Sequence, residues 1–243
     1  MAKLLSQEGL MATAGTPASF SSTKESTNYA RLCRLLVDVG SSVLRDIFDK
    51  IHPPTSLHTN LTTTYHSTLQ ALRKGRVLNS TQWGKLYPLK CTSVSSRDFD
   101  ITLLTVLLGN ICGLSTPAKG WATLPPATDV STEANIARVK YFRNTVVGHA
   151  DQASVDDTKF NAYWKDIRDA LVSLGGAKYE AVIDDLKNEC MDPEIADHYE
   201  EQLKQWEKDE DNIKDLLKEI IRKLEESETS KGKSQPKGMF LIS

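Results

Sequence analysis

The sequence predicts an all-α fold: a helical bundle followed by a coiled-coil-like helix. Three observations carry that expectation. Apolar residues recur at helical spacing in one segment after another. Proline and glycine pairs (Pro53-Pro54, Gly175-Gly176) and Asp192-Pro193 punctuate those segments. No stretch alternates apolar and polar residues as a half-buried strand requires.

Residues 1–26 are rich in Ser, Thr, Ala and Gly and lack periodicity, so they read as a disordered leader. Thr27 is the expected cap of a long helix reaching about Ile51, with Leu32, Leu35, Leu36, Val39, Val43 and Ile47 as its apolar stripe. The proline pair stops it, because a residue before proline is pushed out of the helical region. Ser56 is the expected cap of a second helix running to about Lys74, with Leu57, Leu61, Tyr65, Leu69 and Leu72 inward. Its run Thr62-Thr63-Thr64 is weakly helical. Ser80 opens a short helix, Thr81 to Tyr87, anchored by Trp83 and ended by Pro88.

Phe99 to Ile111 is the most apolar helix; Leu103, Leu104, Val106, Leu107, Leu108 and Ile111 leave almost no polar face, which places it at the centre of a bundle. Asp98 and Asp100 stand at its start, where a carboxylate caps free N–H groups and offsets the positive helix end. A proline-rich stretch, 114–130, carries Trp121 and leads into a helix with Ile136, Val139, Phe142 and Val146 on one stripe. Ser154 and Asp157 have the spacing of a capping box before Phe160, Trp164, Ile167 and Leu171. After Gly175-Gly176, a helix from about Ala177 to Cys190 presents Val182, Ile183 and Leu186. The bundle is thus expected over residues 27–191.

Past Pro193 the pattern changes. Ala196, Tyr199, Leu203, Trp206, Glu210, Ile213, Leu217, Ile220 and Leu224 alternate steps of three and four, the seam of a coiled coil with one polar interruption. Residues 192–228 therefore read as a long charged helix, expected as a coiled coil that meets a protein partner or a second copy, with packing back on the bundle as the alternative, and 229–243 as a disordered polar tail.

Composition excludes several classes. No run approaches the roughly 20 apolar residues that span a bilayer, and the N-terminus has no basic region followed by an apolar core, so a cytoplasmic protein with no membrane partner is expected. The four cysteines, Cys33, Cys91, Cys112 and Cys190, are far apart and offer no paired metal spacing. His52, His58, His66 and His198 form no cluster either, so no metal and no cofactor is expected. The net charge of −2 hides an asymmetry: residues 1–183 sum to +5 and residues 184–228 to −10. A phosphate-bearing ligand suits the first part and not the second.

The stretch that carries chemistry is Arg143-Asn144-Thr145-Val146-Val147-Gly148-His149. On an unbroken helix, six residues separate Arg143 from His149 by roughly 240° and about 9 Å of rise, so the two would face apart. The β-branched residues and Gly148 end the helix, and a left-handed turn at Gly148 is expected to bring the imidazole back towards the guanidinium. An arginine and a histidine converging beside Asn144 can bind a phosphate and move a proton. The spacing by itself also fits a surface arginine and a helix-end histidine.

Three pieces together give the chain a family likeness: Asn28-Tyr29-Ala30-Arg31-Leu32, Phe99-Asp100-Ile101-Thr102-Leu103-Leu104, and Arg143-Asn144 with Gly148-His149. With these, residues 28–190 resemble the HEPN superfamily (higher eukaryotes and prokaryotes nucleotide-binding), in the subgroup found in a RING ubiquitin ligase and in multidomain immune-type proteins. That pattern is an arginine, a polar residue, and a histidine four to six residues further on; similar members often carry tyrosine before Gly-His, where this chain has Val147.

The resemblance implies RNA binding and a metal-independent endoribonuclease, in which the 2′-hydroxyl of single-stranded RNA attacks the adjacent phosphorus. His149 would carry the proton, Arg143 would stabilise the phosphate charge, and Asn144 would hold the phosphate or the imidazole. Asp100 is a supporting candidate, with capping as its alternative role. In such enzymes two motifs face each other across a homodimer. Other members bind nucleotides or act as non-catalytic dimerising scaffolds, so enzyme and interaction module both stand as expectations.

The seam makes a direct prediction. Leu217→Asp buries a charge at the middle of any interface formed there, at a cost of a few kcal/mol. Light scattering of the full chain at micromolar concentration is expected to show a dimer for the wild type and a monomer for the variant; an unchanged mass removes the seam from the interface.

Overall fold

The computed structural model describes residues 23–89, 94–149, 153–189, 191–192 and 194–205. Among them there is no strand; the chain is an all-α bundle. The leader before residue 23, seam positions 206–224, the tail 229–243, Cys91 and Cys190 lie outside the described residues.

The first long helix is helical from Lys24 to Ile51 but changes its winding twice. α1 (Lys24–Arg34) passes into a π-helical turn, Leu35–Gly40, and then into α2 (Ser41–Ile51). Its cap is Thr23, whose hydroxyl accepts from Ser26 N at 3.1 Å, and not Thr27, whose hydroxyl donates to the Thr23 carbonyl. Leu32, Leu35, Leu36 and Val43 are fully buried. Gly40 has a packing reason: a Cβ there would lie 3.0 Å from Cδ1 of Ile101, so the absent side chain lets the central helix that Ile101 opens approach.

The second expected helix is broken. α3 (Leu57–Thr59) and a π-helical turn (Asn60–Thr64) end at Tyr65, and α4 (His66–Lys74) begins afresh. The threonine run accounts for this: Thr62 and Thr63 hydroxyls donate to the His58 and Thr59 carbonyls, and such back-bonding bends helices. Ser56 makes no side-chain cap; its hydroxyl donates to the Pro53 carbonyl. α5 (Ser80–Leu86) is capped by Asn79 in a reciprocal box with Gln82, not by Ser80. Leu86 is its buried anchor, while Trp83 is half-buried.

α6 (Ile101–Ile111) is central as expected, with Ile101, Leu103, Leu104, Leu107 and Leu108 all fully buried. Each such side chain stabilises the fold by about 1.5–3 kcal/mol. Next come α7 (Thr132–Val147) and α8 (Asp157–Gly175), which pack on each other. The α8 cap is Asp156, accepting from Lys159 N at 2.9 Å, and not Ser154. Phe160, Trp164, Ile167 and Leu171 are buried, as their spacing predicts. α9 (Glu180–Asn188) buries Ile183 and Leu186 but leaves Val182 exposed.

Residues 194–205 form a further helix, α10, lying against the first. Leu203 is fully buried in the bundle core. The Tyr199 hydroxyl donates to Asp38 Oδ2 at 2.6 Å, and its ring lies 5.9 Å from the Arg34 guanidinium carbon. Two seam positions, Tyr199 and Leu203, thus pack on this chain's own bundle.

Burial also sets the thiols and one histidine. Burial pushes the Cys33 thiol far up and the Cys112 thiol to about 12, so both stay protonated near neutral pH. His52 is a core residue, its Nε2 3.2 Å from the Ile111 carbonyl and its ring between Phe48 and Tyr65. No helix among the described residues is long and apolar enough to cross a membrane.

The end of α8 gives a stability prediction. A methyl at Gly175 would overlap the Tyr179 ring and lie 3.1 Å from Val43, so Gly175→Ala is expected to cost about 1–3 kcal/mol. Gly84 in α5 has open space around it, and Gly84→Ala is expected to be neutral or to stabilise by up to ~1 kcal/mol. Thermal melts of the two variants are expected to move in opposite directions.

Candidate functional site

α7 carries the motif, and nearly all of its circumference is buried. Ser131 caps it, accepting from Ala134 N at 3.2 Å. Ala134 through Val139 are all buried, as are Phe142, Arg143, Val146 and Val147. α8, α6 and α1 all pack on it, so the helix has no broad polar side to give to solvent.

Two arginines therefore sit inside. Arg138 is 8% exposed and is held by oxygen acceptors: it donates to Asn135 Oδ1, the Pro126 carbonyl and the Asp129 carbonyl (2.6 Å). It thereby ties the proline-rich stretch before α7 to the helix. Arg143 is 1% exposed, and its Nη1 donates to Asn144 Oδ1 at 2.9 Å. Its position, four residues after Val139, puts its aliphatic stem on the inward face. Asn144 is exposed beside it.

The helix ends where expected but not by the expected turn. Gly148 has φ −61° and ψ −10°, an ordinary right-handed conformation, so it supplies no left-handed turn. Its N–H donates to the Asn144 carbonyl and the His149 N–H to the Val146 carbonyl, each at 3.0 Å, so the chain tightens as it leaves the helix. The left-handed residue is Ala153, at φ +44°, whose N–H donates to the His149 carbonyl at 3.0 Å. His149 is half-buried, its ring 6.4 Å from that of Tyr163 on α8 and tilted by 39° to it. Tyr163 also meets Phe142, at 5.6 Å. The structure thus joins Arg143 to Asn144 and sets His149 against Tyr163.

Tyr163 and Asn28 are the neighbours that spacing does not reveal. Tyr163 places an aromatic ring beside the histidine from the next helix. Asn28, buried on α1, donates to the Val155 carbonyl (3.1 Å) and Asp157 Oδ1 (2.9 Å), while Val155 N–H donates to the Glu25 carbonyl (3.1 Å). Lys24 pairs with Asp157 in the same cluster. These bonds anchor the chain between His149 and α8 to the first helix. A buried polar residue among the apolar positions of a helix is the one signal that points to such a clamp.

Asp100 is the α6 cap. Its Oδ1 accepts from Leu103 N at 2.8 Å and its Oδ2 pairs with Lys85 Nζ at 2.9 Å, with the side chain 9% exposed. Among the described residues no group of His, Cys, Asp and Glu is arranged to hold a metal ion.

An all-α bundle around an apolar central helix, with Arg-Asn…His at the end of a buried helix, defines the class of domain. Residues 54–199, more than half of the chain, match the family described as DZIP3/hRUL138-like HEPN. The chain belongs to that HEPN family. It is 29% identical over 153 residues to the human E3 ubiquitin-protein ligase DZIP3 and to its mouse counterpart, a stretch covering 60% of this chain but only 12% of each ligase. No solved structure is significantly similar.

The cap can be tested apart from the motif. Asp100→Asn keeps an acceptor for Leu103 N and is expected to cost about 1 kcal/mol or less, whereas Asp100→Ala is expected to cost about 1–2 kcal/mol. Denaturant unfolding measures both, and equal losses would mean that the Lys85 pair, not the cap, is the main contribution.

Proposed function

We propose that this HEPN domain is a non-catalytic interaction module, a self-associating scaffold for ligase-like or immune-type signalling proteins, whose Arg143-Asn144…His149 motif serves the fold. The observation that supports this is the 1% exposure of Arg143. Gripping a phosphate takes an open guanidinium edge with two N–H groups, and this one lies inside α7's packing with Nη1 bonded to Asn144. Ubiquitin transfer, the activity in the relatives' name, is not part of the proposal. The match covers only 12% of those ligases.

A second reading, metal-independent RNA cleavage, is favoured by one observation. Asn144 is exposed and His149 partly so at the same helix end, where a phosphate can reach them. That chemistry requires Arg143 to be uncovered, as in a dimer that brings two motifs together.

Arg143→Ala separates the readings. On the scaffold reading it empties a buried site and lowers stability by about 2–4 kcal/mol, read from denaturant unfolding. Arg143→Met, which refills the stem's volume, is expected to recover part of that loss. The wild type incubated with single-stranded RNA in EDTA is expected to leave it intact. Release of fragments ending in 2′,3′-cyclic phosphate, lost in His149→Ala with melting unchanged, would establish the nuclease and overturn the scaffold reading.

A further inference from the structure

The seam from Ala196 to Leu224 is apolar at every position but Glu210. A charged residue at such a position costs stability unless a partner group meets it. The earlier members of the stripe show what lies ahead of it. Tyr199 meets Arg34 and Asp38 on the first helix, and Leu203 is fully buried. Gln202 stands with Val37, Ser41 and Arg45 in the wall of a concavity, so α10 advances along the first helix towards α2. Trp206 and Glu210 follow Gln202 by four and eight residues, about one helical turn and two, on the stripe that Tyr199 and Leu203 begin.

The concavity, about 320 Å³, lies between α2, α5, α10 and the turn that opens α6. Three cations line it, Arg45, Lys85 and Arg97, against two acids, Asp98 and Asp100. Lys85 is paired with Asp100 at 2.9 Å. Arg45 donates from Nε to the Ser96 carbonyl (2.9 Å) and from Nη2 to the Phe99 carbonyl (3.3 Å), bonds that orient its guanidinium without cancelling the charge. Arg97 is exposed and, among the described residues, takes part in no ion pair. The lining therefore carries one positive charge in excess of its acids, and half-buried Val37 gives it an apolar part. Lys85 and Arg97 also belong to a run, residues 50–97, that contains no aspartate or glutamate. Nothing beside them in sequence offsets that excess.

We propose that Trp206 and Glu210 of this chain dock in the concavity, the indole against Val37 and the Glu210 carboxylate on Arg97, and so fasten the seam segment to its own bundle. One carboxylate balances the lining, and a guanidinium receives it through two parallel N–H groups. Distance is no obstacle, because eight residues from Gln202 reach up to about 29 Å. The tether also gives this segment a local concentration that a separate partner of the same chemistry lacks. The plain alternative is a solvated charge that merely interrupts the seam. It accounts for Glu210 but not for an unbalanced cationic hollow with α10 already in its wall. Ile213 to Leu224 stay open to a second copy, so the latch and self-association are independent, and the failure of one leaves the other standing.

Amide hydrogen exchange of the full chain, read by mass spectrometry over peptides covering residues 206–211, is the test. Protection is expected in the wild type and is expected to persist on dilution. Arg97→Glu, Glu210→Arg and Trp206→Ala are each expected to lower it at least about tenfold. Combining Arg97→Glu with Glu210→Arg restores the pair in reverse and is expected to recover most of the loss. Lys165→Glu, which reverses a cation paired with Asp169 elsewhere, is expected to change nothing. Circular dichroism checks that each variant folds, and Trp206→Ala alters nothing in the described bundle. Unprotected exchange in the wild type, folded single variants that behave like it, or a charge swap without recovery overturns the proposal. Protection that fades on dilution also overturns it, and assigns the concavity to the same segment of a second copy.

Discussion

A helix that carries charge cannot normally be enclosed on all sides, and α7 is enclosed on nearly all of them. Its core positions are ordinary: Ile136, Val139, Phe142 and Val146 each sit within the bundle. The constraint comes from Arg138 and Arg143, at 8% and 1% exposure. An arginine is tolerated inside only where its N–H groups find oxygen acceptors, since an uncompensated buried charge is among the costliest features a fold can carry. Arg138 meets this demand with two backbone carbonyls and Asn135, and in doing so fixes the loop that leads into the helix. The arrangement of α1, α6 and α8 around α7 follows from having to bury this one helix.

The same constraint shapes the candidate site. Asn144 is both a motif residue and the acceptor for Arg143, so the polar residue after the arginine has a structural task before any chemical one. His149 lies beyond the last turn, in a segment anchored from outside by Asn28 and the Glu25 carbonyl. Arginine and histidine thus rest on different supports: one on helix packing, the other on a clamp between α1 and α8. A rearrangement that moves one need not move the other.

Helix positions were legible where burial and periodicity agree. The α6 and α8 stripes stand as their spacing indicates, because a buried leucine repeat admits few other arrangements. Caps were less legible. Thr23, Asn79 and Asp156 take the roles that Thr27, Ser80 and Ser154 suggested, each a nearby residue with similar chemistry. Several short polar residues compete at a helix start, and only backbone geometry chooses between them. The two π-helical turns were not legible at all. An extra residue in a helical turn leaves the apolar pattern almost unchanged, while the approach of α6 at Gly40 and the threonine back-bonds that accompany those turns depend on three-dimensional contacts.

By itself, the sequence determined an all-α bundle with an apolar central helix, an Arg-Asn…His motif at a helix end, and the HEPN likeness. The bundle and the motif's place rest on local spacing, which the order of residues states outright, and the likeness on three short motifs taken together. The tertiary structure alone decided that Arg143 is inside, that the left-handed turn falls at Ala153 and not Gly148, and that Tyr163 stands against His149. It also decided that Tyr199 and Leu203 pack on the first helix. The reason is physical: periodicity says which face of a helix is apolar, but not which neighbour covers it. An arginine's long stem reads the same in sequence whether its head ends in water or among carbonyl and amide oxygens.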